Sequence, residues 1–535
     1  MERLSPQESV EKVLTEYASF GNLFENPPQV SLKLLTRTPP GEPEVSSRDI
    51  VATTAAQCYA KGVAQMRPRL EMEGTVDTTL KSGHHTTRQH TNYTWLLVGV
   101  SRSVTHDIFH ENPFYNTEQQ SQRYVEAKAG FYLIPKGLTE KQREIFIEAA
   151  DFCNQQYFLF LNALKPAVKA RVEKMYPGPG ASERNAAKLE TKTVKCCQEI
   201  ARYPLHIGQL TNFYHTFPEL QLLRLFRASR MNQYSKEAKY VIGQMVEKVA
   251  KVDPSILKEL EKPIEVEQEN YSEEYIKEGK KEFDQDLDGL RSKLLSLDPQ
   301  TSKIWAKCAR NIKGRPDLFD EEILDLLLNP AKNKLLADVY EIGMMDNLTR
   351  TLRMANITFA TKLSHTADSQ RQRQRRTPGA TPPIEAAFNR TPDFITPKVI
   401  EENDDLRELY QKSLNQIYKN VTKALESGID KEKALLLLPN AQAIRLYETG
   451  DFFDWLHRFK QRLCFVAQEE IFFISCDQVE QIIEVLPEAK ETLLAPCGIR
   501  KKAQISPKCP EGERFCGQPV FNFEDIKKYQ KSRLI

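Results

Sequence analysis

Four arginines lie within six residues of the stretch SQRQRQRRTPGATPP, which occupies positions 369–383. Guanidinium groups bind phosphate and carboxylate oxygens through paired N–H donors, so such a cluster could hold an anionic ligand. A run of Pro, Gly and Thr follows the four residues, Arg371, Arg373, Arg375 and Arg376. The cluster is typical of an exposed loop, of a nucleic-acid-binding patch, or of half a phosphate site that is completed elsewhere in the chain.

The spacing of the cluster limits how it could act. Arg373 and Arg375 would share one side of an extended segment, but they would diverge by about 200° on an α-helix. We therefore expect these two arginines to lie at a helix end or in a loop.

Length and composition restrict the class of protein. A chain of 535 residues is too long for one ordinary core and predicts two to four domains. The 75 basic and 73 acidic residues give a net charge of +2, which argues against a surface built for nucleic acid. No apolar run reaches the roughly 18–20 residues of a membrane span, and the N-terminal segment MERLSPQESVEKV lacks the apolar core of a signal peptide. We expect a cytoplasmic protein that binds neither nucleic acid nor membrane.

No metal site is predicted. The ten cysteines have no paired spacing, which favours reduced thiols over a disulfide framework. His84, His85 and His90 lie close together in the sequence, but no neighbouring carboxylate or cysteine completes a ligand set.

Most of the chain is predicted to be helical. Apolar residues recur at helical spacing in 141–176, which should end at a Pro-Gly pair, and in 404–428, which should end on its last glycine. Residues 31–40 predict a strand and a turn. The stretch 263–299 is rich in Glu and Lys and predicts a charged linker or an exposed helix.

The chain also contains an internal repeat. EIARYPLHIGQLTNFYHT at 199–216 aligns without a gap with EKALLLLPNAQAIRLYET at 432–449, an offset of 233. The same offset aligns MVEKVAKVDPSILKEL at 245–260 with QVEQIIEVLPEAKETL at 478–493. One register that holds over about sixty residues indicates a duplication.

Upstream of these segments the offset changes. SRSVTHD at 101–107 aligns with SHTADSQ at 364–370, an offset of 263, so one connection is shorter in the second copy. We predict a first repeat over 1–262, the linker described above, a second repeat over 300–500 and a C-terminal tail over 501–535.

Four short motifs occur in order within residues 82–126: Gly83-His84, Ser101-Arg102, Thr105-His106 and Ser121-Gln122-Arg123-Tyr124. In this order they resemble the flavin-dependent thymidylate synthase family, ThyX, and the resemblance covers most of residues 31–262. It implies an α+β fold of two ThyX-like repeats, predominantly helical, each with a small antiparallel sheet.

The first repeat departs from the family pattern on the side that binds flavin. The family's Arg-His-Arg motif falls on His110-Glu111-Asn112, and the glutamine after its histidine falls on Asp107. The Glu111 carboxylate would repel a pyrophosphate. A family active site built from this repeat alone should therefore fail.

The second repeat shows the reverse pattern. Gln370 falls on the family's glutamine, and Arg373-Gln374-Arg375 falls on its Arg-His-Arg with both arginines kept. The family's Ser-x-Arg-Tyr is replaced by TPGATPPIEAA. The resemblance thus implies that one repeat keeps the nucleotide motif and the other the flavin motif, and that a composite site forms between them.

The resemblance assigns further residues to this site. Those implied for the deoxyuridylate substrate are Ser121, Gln122, Arg123, Tyr124, Gln370, Arg445 and Arg462. Those implied for FAD are His84, Thr86, Arg373, Gln374, Arg375 and Asp451. Asp451 replaces a family asparagine and Phe453 replaces a family arginine, which weakens the expectation for flavin contacts at these positions.

The implied reaction is reductive methylation of dUMP to dTMP, with 5,10-methylenetetrahydrofolate as carbon donor and NADPH as reductant of FAD. ThyX enzymes are homotetramers with sites between subunits, so a homodimer of this chain would imitate that assembly. Two other functions stay open: a nucleotide- or flavin-binding or structural paralogue without activity, and a flavoenzyme that acts on another pyrimidine nucleotide.

Overall fold

The computed structural model describes residues 6–36, 43–109, 115–176, 183–231, 234–267, 271–512, 515–523 and 525–535. Within this part of the chain, none of the helices is both long and apolar enough to cross a membrane. Each of the ten cysteines lies in a described segment, and none of them forms a disulfide.

The first repeat holds four strands and ten α-helices among its described residues. The strands are β1 (Gln29–Leu35), β2 (Asn92–Ser101), β3 (Asn116–Gln119) and β4 (Leu210–Pro218). The helices are α1 (Pro6–Ser19), α2 (Ser47–Gln57), α3 (Glu73–Lys81), α4 (Arg102–Phe109), α5 (Glu140–Ala163), α6 (Lys165–Met175), α7 (Glu183–Ala201), α8 (Glu219–Ala228), α9 (Lys236–Ala250) and α10 (Ile256–Glu259).

The rest of the described chain holds four more strands and eleven more α-helices. The strands are β5 (Ser292–Ser296), β6 (Asn356–Ser364), β7 (Gly379–Ala380) and β8 (Ala443–Asp451). The helices are α11 (Glu273–Leu287), α12 (Thr301–Lys313), α13 (Asp320–Leu328), α14 (His365–Arg371), α15 (Lys398–Glu401), α16 (Asp404–Glu426), α17 (Lys431–Leu435), α18 (Phe452–Arg462), α19 (Glu469–Val485), α20 (Pro496–Lys502) and α21 (Ile526–Ser532).

Two antiparallel sheets share one topology, with strand order β1-β2-β4-β3 in the first and β5-β6-β8-β7 in the second. Alternation along the strands explains how each sheet covers a core. Tyr93, Trp95 and Leu97 of β2 are fully buried, and the Trp95 ring lies 4.7 Å from that of Phe217 on β4. The prediction of two mainly helical repeats, each with a small antiparallel sheet, is confirmed.

Strand register carries the two sequence offsets. Ser101 at the end of β2 pairs with Leu210, and Ser364 at the end of β6 pairs with Ala443. The first members of these pairs differ by 263 and the second members by 233. The segments aligned by sequence therefore occupy equivalent places in the two sheets.

The repeats meet through two short segments that precede β4 and β8, residues 203–208 and 436–441, called here the dyad segments. Equivalent positions exchange the same backbone hydrogen bonds, as across a two-fold axis. The four bonds are Ile207 N to Leu438 O at 2.8 Å, Asn440 N to Leu205 O at 2.7 Å, Gly208 N to Leu436 O at 2.8 Å and Ala441 N to Tyr203 O at 2.9 Å.

Side chains from both repeats fill one interior around this contact. A cluster of buried residues joins Tyr132, Phe146 and Ile207 to Tyr418 and Leu438. In a second contact between the repeats, α5 packs on α16, where the Phe160 and Tyr410 rings lie 5.6 Å apart and Ser413 Oγ donates to Gln156 Oε1 at 2.8 Å. The apolar surfaces of the two repeats therefore bury one another at this contact, and the first repeat has a further buried cluster of its own.

Several sequence expectations hold locally. The predicted strand at 31–40 overlaps β1, and the helix predicted over 404–428 is α16, which is followed by Gly428 with a positive φ of 85°. The helix predicted over 141–176 is instead two helices that part at Leu164, where Pro166 in the first turn of α6 cannot donate a backbone bond.

Of the two alternatives expected for 263–299, the structure shows the helix, and the stretch also supplies a strand. It contains α11 and the edge strand β5, and both belong to the second sheet's surroundings. Ile276, Phe283 and Leu287 give α11 a buried side, and the Phe283 ring lies 5.2 Å from that of Tyr447 on β8. The helix is so rich in Glu and Lys that its composition does not reveal the narrow apolar stripe formed by its three buried residues.

Residues beyond 500 also pack on the second repeat. Tyr529 of α21 is buried and its hydroxyl donates to the Leu463 carbonyl. Gln530 Nε2 donates to Asp477 Oδ1 of α19 at 2.6 Å. The predicted tail is therefore a structural part of the second repeat's surface.

We expect Gly208→Ala to destabilise the protein by about 1–3 kcal/mol, because a Cβ at this position would lie 3.0 Å from the Leu436 carbonyl oxygen and 3.2 Å from its Cβ. The thermal midpoint measured by calorimetry should fall. Gly279→Ala in α11 is the matched control, since its Cβ would meet nothing within 4 Å. Equal midpoints for the two variants would contradict the close approach of the dyad segments.

Candidate functional site

Arg123 reaches from the first repeat into the second. It follows β3 in a tight turn, where Ser121 Oγ accepts a hydrogen bond from the Arg123 backbone N–H at 3.2 Å. Its guanidinium forms an ion pair with Glu199 of α7, and Nη2 donates to the Val466 carbonyl oxygen at 2.6 Å. The motif Ser121–Tyr124 of the first repeat therefore contacts the segment between α18 and α19.

On the second repeat, three elements meet at the same place. Arg462, at the end of α18, donates to Gln370 of α14 through Nη1 to Oε1 at 3.2 Å and through Nη2 to the carbonyl oxygen at 2.6 Å. The backbone N–H of Gln468, the residue that caps α19, contacts Gln370 Oε1 at 3.4 Å. Val466 lies two residues before Gln468, so Arg123 adjoins the pair formed by Gln370 and Arg462.

Positive charge is poorly compensated at this junction. Burial lowers the pKa of Arg462 to about 9. The neighbouring guanidiniums of Arg458, Arg123 and Arg373 contribute to the same lowering. Arg462 Nε is buried without a hydrogen-bond partner among the described residues. An anion bound here would relieve the repulsion between the guanidiniums and accept a hydrogen bond from Arg462 Nε.

Sequence reasoning assigned no role to Arg202, which adjoins the same junction. It lies one residue beyond α7, where burial lowers its pKa to about 10 and its Nη2 has no partner in the described chain. Asn440 Nδ2 donates to the Arg202 carbonyl oxygen at 3.1 Å and contacts Gln122 Oε1 at 3.4 Å. The offset of 233 places Leu435 opposite Arg202. This replacement of an apolar residue by an arginine was the feature of the sequence that could have indicated a role for Arg202.

A cavity of about 420 Å³ opens beside Arg123. Its walls combine cations with aromatic rings, which suits a flat anionic ligand. The half-exposed Tyr124 ring has its centroid 5.4 Å from the Arg123 guanidinium and 5.5 Å from Lys195 Nζ. The lining comes from the first repeat, from residues 465–469 of the second and from the C-terminal segment.

The arginine pair of the second repeat follows α14 at a short 3-10 turn, Gln372–Gln374, so the expectation of a helix end is confirmed. Arg375 lies over the Tyr115 ring at 4.9 Å and donates to Asn116 Oδ1 of the first repeat at 3.3 Å. Arg373 is exposed, whereas Gln374 is buried and donates to Gln461 Oε1 at 3.0 Å.

Arg445 does not join this site, which corrects its assignment to the nucleotide. Its Nε and Nη2 donate to the Asp284 carboxylate at 2.8 and 2.6 Å, and Nη1 donates to Asp393 Oδ2 at 2.7 Å. Two carboxylates thus neutralise its charge. Arg445 lines a different cavity, of about 550 Å³, beneath α11.

Three of the residues expected at the flavin have other surroundings. His84 and Thr86 are exposed at and beside the 3-10 turn His85–Gln89. Asp451 caps α18 by accepting from Asp454 N at 2.9 Å and pairs with Arg353 Nε at 2.7 Å. Among the described contacts, none joins His84, Thr86 or Asp451 to the Arg373–Arg375 turn. The expected motif counterpart at 110–112 lies outside the described residues.

The equivalent place in the other half of the molecule carries carboxyl groups where the junction has guanidinium groups. Asp107 stands where the second repeat has Gln370, and Ser235, whose Oγ donates to Asp107 Oδ2 at 2.8 Å, stands where it has Gln468. Burial, together with the carboxylates of Glu237 and Glu432, raises the pKa of Asp107 to about 8. Of the two equivalent places, the one around Gln370 and Arg462 offers guanidinium donors to an anion, and the one around Asp107 offers carboxyl groups instead.

Within the described segments, no group of three or more His, Cys, Asp or Glu residues could hold a metal ion. The candidate site is therefore built from guanidinium, amide and aromatic groups.

Comparison with known proteins gives a consistent result. The sequence model of the family described as "Thymidylate synthase complementing protein" matches residues 43–255 and 293–488, which together make up more than half of the chain. The chain is 30% identical over 236 residues to the flavin-dependent thymidylate synthase of Clostridium tetani, covering 43% of this chain and 86% of that protein. It is 32% identical over 151 residues to the flavin-dependent thymidylate synthase of Geobacter sulfurreducens, covering 26% and 62%.

A solved structure is also similar. The crystal structure of a UMP/dUMP methylase, PolB, from Streptomyces cacaoi bound with 5-Br dUMP aligns with a TM-score of 0.30 and 17% sequence identity. The alignment covers 43% of this chain and 94% of that one.

We expect Asp107→Asn to change how stability depends on pH. An aspartate has a pKa near 3.9 when unfolded and about 8 here, so the folded state keeps a proton that the unfolded state releases. The stability contributed by this proton is lost as the pH rises from about 4 to 8. Asparagine removes that loss, so the variant should gain on the wild type over this window, by nearer 1 than 5 kcal/mol because the side chain is partly exposed.

Urea unfolding at pH 5 and pH 8 measures this difference. Asp286→Asn, at an exposed position of α11, is the control and should give the same difference from the wild type at both pH values. A constant difference for Asp107→Asn as well would show that its carboxyl group is not desolvated.

Proposed function

Because the chain belongs to the thymidylate synthase complementing protein family, we propose that it methylates dUMP to dTMP at one composite site formed by its two repeats. Methylenetetrahydrofolate supplies the carbon, and NADPH reduces the FAD. The named relatives are flavin-dependent thymidylate synthases, which supports the reaction class and the flavin.

The observation that carries this proposal is the approach of Arg123 to Gln370 and Arg462 across the repeat boundary. The phosphate of dUMP is dianionic and requires paired donors. Arg123 and Arg462 bind it from opposite repeats, and the Ser121 hydroxyl adds a donor at the turn. Gln370 holds Arg462 in place through two hydrogen bonds, and it is available to exchange one of them for the substrate.

Neighbouring residues orient the nucleotide. Tyr124 presents a half-exposed ring to the cavity and covers one side of a bound uracil or ribose. Gln122 is tied to Asn440 of the opposite dyad segment, so the turn that carries Arg123 keeps its position relative to Arg462. Glu199 fixes the Arg123 guanidinium until the phosphate arrives.

FAD supplies the hydride chemistry when it is bound. Arg373 and Arg375 fit its pyrophosphate, because both are accessible and lie beside Tyr115 of the first repeat. Gln374 Oε1 is buried without a partner within the described part of the chain and could accept an N–H from the isoalloxazine ring. His84, Thr86 and Asp451 fit the group less well, and we assign them no contact with it.

A homodimer is part of the proposal. The reciprocal bonds of the dyad segments already join the two repeats as two family subunits would be joined. A second chain would complete four pseudo-subunits, with two working sites in place of four. Light scattering should then give twice the 61.5 kDa of the chain.

Activity is tested by tritium release from [5-³H]dUMP with methylenetetrahydrofolate, NADPH and FAD. Purified protein should absorb near 450 nm and release tritium. Protein that binds FAD but releases no tritium from dUMP would refute the proposed reaction and favour another pyrimidine substrate. Colourless protein that gains no thermal stability from FAD would favour a paralogue without activity.

Variants should separate the two halves of the site. Arg123→Ala should raise the dissociation constant of dUMP by about 10- to 100-fold, because a charge-assisted contact is lost, and leave the FAD content unchanged. Arg373→Ala combined with Arg375→Ala should empty the flavin site. Equilibrium dialysis measures the first effect and absorbance at 450 nm the second.

Two control variants accompany these tests. Arg143→Ala removes an arginine whose ion pair with Glu25 is largely exposed, and it should not change dUMP affinity. Arg376→Ala removes the next arginine of the same run, which pairs with Glu341, and it should keep FAD bound. Loss of FAD from Arg123→Ala, or its retention by the double variant, would reverse the assignment of the two repeats.

A further inference from the structure

The cavity beside Arg123 contains more positive charge than one phosphate requires. Besides Arg123, it is lined by Lys192, Lys195 and Arg533. Lys192 and Lys195 come from α7 of the first repeat, and Arg533 follows α21. Residues beyond 488 lie outside the matched family regions, so Arg533 is an addition to the family's common part.

Arg533 is a buried arginine whose guanidinium is held in place by hydrogen bonds. Only 3% of the residue is exposed. Nη2 donates to the Ala467 carbonyl oxygen at 2.7 Å and Nε to the Ile535 backbone oxygen at 2.7 Å. Nη1 is buried and has no hydrogen-bond partner within the described residues. A guanidinium held on two sides with a free third donor is suited to an anionic ligand.

Lys192 is also fixed in place. Its Nζ lies 3.9 Å from the centroid of the Tyr176 ring and donates to the Cys516 carbonyl oxygen at 2.8 Å. Burial lowers its pKa, so the ammonium gains from a nearby anion. Lys195 is exposed at the cavity mouth, where it adjoins the Tyr124 ring.

Two carboxylate side chains line the cavity, beside the α-carboxyl group of Ile535 to which Arg533 Nε donates, and together they offset only part of this charge. Glu199 is already paired with Arg123. Burial raises the pKa of Glu469 to about 7, so this group carries only part of a negative charge near neutral pH. The excess of cations therefore remains on the side of Lys192, Lys195 and Arg533.

We propose that Lys192, Lys195 and Arg533 form a second anion-binding subsite next to the phosphate site of Arg123 and Arg462. It takes a second anionic group of a substrate, and the inference rests on the proposed function. Two sources share this chemistry: the β-phosphate of a deoxyuridine diphosphate, and the additional carboxylates of a polyglutamylated folate.

Binding measurements on the full-length protein test the subsite. Isothermal titration calorimetry compares dUDP with dUMP, and triglutamyl with monoglutamyl tetrahydrofolate. In one of these pairs the ligand with more negative charge should bind about 10-fold more tightly or better, as expected for a charge-assisted contact. Lys192→Gln combined with Lys195→Gln should reduce that ratio to within about two-fold.

Lys188→Gln, one turn earlier on the exposed side of α7, is the matched control and should keep the ratio. A gain for dUDP that the double variant loses supports the β-phosphate, and a gain for the triglutamate that it loses supports the folate. Equal affinities within both pairs, or a gain that survives the double variant, would overturn the subsite. Absence of both dUMP binding and tritium release would instead reject the proposed function, and the two ratios remain measurable in that case.

Discussion

Four backbone hydrogen bonds between the dyad segments hold the two repeats against each other. Because equivalent positions exchange them, they fix the two repeats in one orientation that side-chain changes can hardly shift. Glu199 at the end of α7 and Arg202, one residue beyond it, lead directly into the dyad segment 203–208. Asn440 lies in the other dyad segment. Arg123 lies near Arg462 in this arrangement, since Arg123 donates to the Val466 carbonyl oxygen of the opposite repeat and Arg462 is held by Gln370 of its own repeat.

The same geometry has been given two opposite electrostatic characters. Around Gln370 and Arg462, guanidiniums depress one another's pKa, and an anion would be welcome. At the equivalent place, Asp107 with the nearby Glu237 and Glu432 raises the pKa of carboxyl groups. Backbone bonds preserve the shape of both places, whereas a few side chains decide which of them can hold a phosphate. The two repeats share a backbone framework and differ in the side chains at these equivalent places.

Local patterns and the repeat offsets were sufficient to predict much of this. The offset of 263 aligned Ser101 with Ser364, and the register of both sheets agrees with it. Gln370 and Arg462 were identified by their order along the chain, and they are in contact. Arg445 could not be judged in the same way, because the carboxylates that neutralise it come from α11 and from a loop before α15, far away in sequence. Arg202 was missed because its significance depends on burial, which a single arginine in a mixed segment does not reveal.

Joining the two repeats in one chain allows equivalent positions to change independently. In an assembly of identical subunits, any replacement appears at every site at once, so a group needed at one place cannot be discarded at another. Once two copies are joined in one polypeptide and bury each other's apolar surfaces, their ratio is always one to one and each position is inherited separately. Ser229 opposite Arg462 and Asp107 opposite Gln370 are differences that identical subunits cannot carry.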